Sequence, residues 1–189
     1  MKLLYKFIRF YISSLVLLLL LTSSANADQN DTRLEDLFKS LKSTENVRIA
    51  SVFESKIWHI WMEHNDPEVE RAMFDGLEAL KFQLFEKAFG HFSVLIKLAP
   101  DYAEGWNKRA TVLYLMGRFN ESESDVMRTL ELEPRHFGAL SGQGLIRIAM
   151  EDWTGAIYFL ESALKINPHM HGALMNLKYA RQMYNESMT

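Results

Sequence analysis

The chain is predicted to fold entirely in helices, as an array of three two-helix units, and three observations carry that expectation. Pro100, Pro134 and Pro168 stand 34 residues apart. Between them an aromatic side chain keeps one fixed place, at Phe85, Phe119 and Trp153, and a small one follows three residues later, at Ala88, Ser122 and Ala156. An amphipathic bundle also spaces apolar residues three and four apart, but nothing in it keeps a proline, an aromatic and a small residue in one long phase.

The first 27 residues read as a signal peptide. Lys2, Lys6 and Arg9 precede an apolar run from Phe10 to Leu21, and Ala25 and Ala27 offer the small side chains of a peptidase site. Cleavage is therefore expected before Asp28, and the chain is expected to be exported. The run is shorter than the roughly 20 residues that span a bilayer, so no membrane insertion is expected once the leader is removed. Taking its three cations from the 21 Lys and Arg leaves 18 against 24 Asp and Glu. That acidic balance disfavours nucleic acid as a partner. The chain has no cysteine, so an exported fold must be held by its core alone.

Residues 28–66 are expected to form an N-terminal helical cap. A first helix, from Asp31 to about Lys42, carries Leu34, Leu37, Phe38 and Leu41 at helical spacing. A second, from about Glu45 to Glu63, places Ile49, Phe53, Ile57, Ile60 and Trp61 on one side. Asp66-Pro67 stops it and starts the next helix, because aspartate caps and proline fits the first turn. The two helices are expected to stack on the first unit.

Residues 67–189 hold the repeats, with units at 69–102, 103–136 and 137–170 and a capping helix at 171–186. Each unit has a small residue in its eighth place, Gly76, Ala110 or Gly144, where two helices must approach closely. Phe92, Val126 and Leu160 follow the turn aromatic by seven. Trp106 and Leu140 are large knobs in the fourth place, whereas the first unit has Ala72 there and Gln83 in place of the glycine seen as Gly117. The last helix is expected to turn Leu174, Leu177 and Tyr184 inward, closing an array that would otherwise expose its final apolar face.

Little in the chain suggests chemistry. His59, His64, His91, His136, His169 and His171 do not form a ligand set, and no nucleophile elbow or phosphate loop is present. No catalytic residue, metal or cofactor is expected.

These places resemble tetratricopeptide repeats, most closely in the second and third units. The resemblance implies a superhelix whose first helices line a concave groove through their second, fifth, ninth, twelfth and thirteenth places. Here those places include Glu104, Asn107, Thr111, Tyr114 and Leu115, then Gly138, Ser141, Leu145, Ile148 and Ala149, with Met73 and Leu77 in the first unit. Met73 and Leu77 stand where co-chaperone clamps of this kind use lysine and asparagine, so capture of a chaperone tail is not expected. The run from Ala99 to Gly117, the run from Glu133 to Leu145 and the Ile57–Trp61 helix are similar to small exported tetratricopeptide proteins of alphaproteobacteria. That similarity implies a periplasmic protein tied to cell-envelope integrity. Asn107-Lys108-Arg109 and Arg135-His136-Phe137-Gly138 depart from a generic repeat and mark a partner-facing surface.

The expected function is a scaffold that binds a peptide or an envelope protein, through Asn107, Lys108, Thr111, Tyr114, Arg135, Ser141, Leu145 and Ile148. A cell-wall-processing enzyme or its non-catalytic subunit, and a holdase-like chaperone, are the alternatives. The partner and the oligomeric state are not encoded in any motif.

Overall fold

The computed structural model describes residues 28–189; the leader read over 1–27 lies outside the described residues. Nine helices follow one another among those residues: α1 (Arg33–Ser43), α2 (Val47–Met62), α3 (Pro67–Lys81), α4 (Phe85–Leu98), α5 (Ala103–Leu115), α6 (Phe119–Leu132), α7 (Phe137–Ala149), α8 (Trp153–Ile166) and α9 (His171–Ser187). The three expected units are the pairs α3–α4, α5–α6 and α7–α8. Their starts obey local rules: the Asp66 carboxylate accepts the Glu68 N–H at 2.8 Å with Pro67 in the first turn, and the Asp152 carboxylate accepts the Gly155 N–H.

The repeat phase is visible in the packing. Phe92 and Leu160 are fully buried against glycines of the facing helix, and a Cβ at Gly76 or Gly144 would lie 2.5 or 2.6 Å from their side chains. Those eighth places are therefore small because a second-helix knob fills the space. In the middle unit the eighth place is Ala110, and its carbonyl accepts the hydroxyl of Ser122 on the facing helix at 2.7 Å. Between the helices of each unit one residue turns left-handed, with φ of 58° at Gln83, 73° at Gly117 and 58° at Glu151. Only the middle unit uses glycine there.

The N-terminal helices do not cap the first unit. They form a hairpin that crosses to the other two, and Leu34, Phe38, Leu41, Ile57, Ile60 and Trp61 share one core with Phe137, edged by Ile166 and Met170. The reason lies in α3. Gly105 and Val112, in the third and tenth places of α5, pack onto α4, but the same places of α3 hold Arg71 and Glu78, which pair with Asp75 and Lys81 in solvent. A polar outer face needs no cover. The aromatic face of α2 does, and it finds the exposed ends of α5 and α7. Ile49, expected inward, is consequently 47% exposed on the far side of α2, and Ala50 takes its place in the core.

At the other end α9 packs on α8 through Ala173, Leu177 and Ala180. Leu174 and Tyr184, expected inward, are largely exposed.

Candidate partner-binding surface

The concave side is built from α3, α5, α7 and α9, and its centre is a buried polar cluster. Glu104, in the second place of α5, is 1% exposed and His136, which precedes α7, is fully buried. The Ala139 N–H donates to His136 Nδ1 at 3.0 Å, so this ring is the cap of α7 and its Nε2 proton points to Glu104 Oε2 at 2.8 Å. Lys108 Nζ lies 2.7 Å from the other Glu104 oxygen, and the Asn107 amide donates to the carboxylate at 3.0 Å. Burial pushes the Glu104 carboxyl up, but the Lys108 charge and the His136 hydrogen bond outweigh it and hold the group below the ordinary glutamate range.

The α1–α2 hairpin sits on this cluster. Trp61 stacks on His136 with centroids 4.1 Å apart and planes within 9°. Trp58 packs edge-on against His136 and Phe137, and Lys108 lies over its ring at 5.4 Å. Gly138 makes that seat possible, since a Cβ there would be 2.5 Å from the Trp58 ring. The Tyr102 hydroxyl, its pKa pushed up by burial, donates to the Trp61 carbonyl at 2.8 Å. Further out, Arg135 lies over Phe38 and bridges Glu133 and Glu35 at 3.0 Å each, while His169 Nε2 meets the Thr44 carbonyl at 2.9 Å. Gln29 bonds both the Asp101 carbonyl and the Ala103 N–H, pinning the segment before α1 to the α4–α5 turn.

The expected partner residues therefore divide. Asn107, Thr111, Tyr114 and Leu145 line a cleft of about 90 Å³ between α5 and α7, with Gly138 and Gly142 in its floor. Asn107 is nonetheless buried and its amide is engaged by Glu104, so it is not free to bond a peptide backbone. Lys108 and Arg135 serve the docking of the hairpin. Ile148 packs with the α8–α9 core, and Ser141 is half-buried beside the cleft. The departures singled out at Arg135–Gly138 do mark a contact surface, but what contacts it is the chain's own α1–α2 hairpin. Trp58 and Trp61, outside the repeat phase and one turn apart on α2, are the signal for it. Neither the cleft nor the polar cluster resembles a catalytic arrangement; the cleft is well below the roughly 300 Å³ of a small-molecule site and has room for one or two side chains.

No family model matches the sequence. A TPR repeat-containing protein of Rhizobium etli is 37% identical over 114 residues, which cover 60% of this chain and 56% of that protein. An Hsp70-Hsp90 organizing protein of Triticum aestivum is 28% identical over 113 residues, or 60% of this chain and 19% of that one. The match thus spans about half of the first relative and a fifth of the second. Among solved structures, the TPR2B domain of yeast Sti1, in its pHsp70 complex, is similar with a TM-score of 0.59 at 23% identity, over 62% of this chain and 98% of that one. The first TPR of Spaghetti (RPAP3), bound to the HSP90 peptide SRMEEVD, gives 0.61 at 19% identity over 62% and 94%. The MamA protein gives 0.59 at 17% identity over 82% of each. At these identities the likeness is one of fold.

Proposed function

We propose that this chain, a tetratricopeptide-repeat superhelix, is a protein-interaction scaffold that holds a peptide or protein partner in the open part of its concave channel. The observation that carries the reading is the division of that channel. The end around Glu104 and His136 is filled by the chain's own hairpin, whereas the cleft of Thr111, Tyr114 and Leu145 stays open and largely apolar. An open apolar dent on a rigid helical face suits an apolar anchor of a partner. Two structural neighbours, the first TPR of Spaghetti (RPAP3) and the second TPR domain of human RPAP3, are bound to an HSP90 and an HSP70 peptide, which supports this use of the fold.

Thr111 is exposed at the cleft mouth, so Thr111→Arg should fill the cleft at under about 0.5 kcal/mol of stability. In cross-linking from an envelope extract, the parent is expected to hold one stoichiometric partner that Thr111→Arg loses. A partner held equally by both proteins would move the binding face elsewhere.

The proposed place of work is the periplasm, in maintenance of the cell envelope, on the strength of the leader pattern. Mass spectrometry of the native protein should find Asp28 as its first residue; an intact Met1 would defeat this address.

A further inference from the structure

We propose that the cleft between α1 and the end of α8 is a second binding site, for a small amphiphile with a phosphate head and an apolar body. The cleft holds about 350 Å³, inside the range of small-molecule sites and about four times the volume of the dent on the concave face. Its apolar residues are Phe38 and Ile166, parts of the hairpin core. Lys39 and Lys42, one turn apart on α1, face Lys165 from the last turn of α8 across it, and Arg135 completes the cationic lining.

The charges are not used up by the fold. Arg135 is fixed flat over Phe38 at 4.4 Å, with Glu133 and Glu35 as its partners. Lys39, Lys42 and Lys165 pair with no carboxylate among the described residues. Four cations thus meet two carboxylates, in a chain whose overall charge is −3. Ammonium groups are compact point charges that suit a phosphate, and the hydrophobic lining gains by covering an alkyl chain or a ring. The charge is confined to one cleft rather than drawn out in a stripe, which favours a small ligand over nucleic acid. Because one wall belongs to the hairpin and the other to the third unit, a bound ligand also stabilises the docked hairpin.

A free phosphate ester and the head group of an anionic lipid share this chemistry, and the test separates them. Residues 28–189 are titrated by calorimetry with hexyl phosphate, inorganic phosphate and hexanol. Hexyl phosphate is expected to bind more tightly than either fragment, and K39E/K165E is expected to weaken it at least about tenfold. The double reversal K87E/K97E on α4 should leave it unchanged. In parallel the protein is sedimented with phosphatidylcholine vesicles with and without phosphatidic acid. Capture by the anionic vesicles that K39E/K165E abolishes assigns the lipid source; hexyl phosphate binding without capture assigns a free ester. Near-ultraviolet circular dichroism shows whether the hairpin stays docked, and K39Q/K165Q replaces the reversal if it does not. No heat with hexyl phosphate, an equal loss in K87E/K97E, or undiminished binding in both Lys39/Lys165 variants overturns the site.

Discussion

Glu104 shows how one side chain can decide where a helix docks. It is a buried carboxylate that Lys108, Asn107 and His136 satisfy together, and the ring of His136 then offers Trp61 a flat surface. An isolated charge in that place would cost several kcal/mol, so the cluster must form as a unit. Its pKa is lower in the folded chain than in the unfolded one. The unfolded chain therefore takes up the proton first as acid is added. The stabilisation is complete above the ordinary glutamate value of 4.5 and is lost as pH falls through the lower folded value. Urea melts at a series of pH values below about 5 should show the parent losing stability more steeply than Glu104→Gln, which has no proton to gain. Parallel slopes would mean that other carboxylates carry the acid dependence.

At the scale of elements, the left-handed residue between paired helices is the place where sequence and geometry disagree. Gln83 and Glu151 adopt φ of 58° with a Cβ, a conformation that costs about 1–2 kcal/mol, whereas Gly117 adopts it freely. Replacing either by glycine relieves that cost and returns part of it as unfolded-state entropy. Gln83→Gly and Glu151→Gly should each stabilise by about 0.5–1 kcal/mol in thermal melts, and Gly117→Ala should move the other way. The repeat elements themselves were legible, because prolines, turn aromatics and small eighth places report local constraints that recur in phase. The docking of α1 and α2 was not. Their apolar stripes said that something would cover them but not what, since the partner surface of His136, Phe137 and Gly138 lies about 80 residues further along the chain. The partner surface was half legible for the same reason. Thr111, Tyr114 and Leu145 follow from repeat position alone, but the fates of Asn107, Lys108 and Arg135 depend on a long-range contact.

For the molecule as a whole, the hairpin joins parts that a repeat array normally keeps apart. Units of such an array touch only their neighbours, yet Arg135 pairs with Glu35 across 100 residues and His169 bonds the Thr44 carbonyl across 125. Trp61→Ala removes a side chain that is 1% exposed and should cost about 3–5 kcal/mol. Trp106→Ala should cost less, because that ring is only half-buried, even though it gives up the N–H bond to the Pro100 carbonyl. Hydrogen exchange is the sharper measure. In Trp61→Ala, protection should fall in α7 and α8 as well as in α2, whereas loss confined to α1 and α2 would show that the hairpin is a passenger.

The hydrogen bond between His169 and Thr44 also makes the chain a closed loop rather than an open spring. An open array frays from its ends, each terminal unit peeling away without disturbing the next. Here the beginning of the described chain is fastened beside its last full unit, so α8 cannot loosen without disturbing the first two helices. Closing a loop of this length carries an entropic cost that grows only with the logarithm of its length. In return the array melts as one body, and it reaches that state more slowly, because its last contacts to form are among the most distant in sequence.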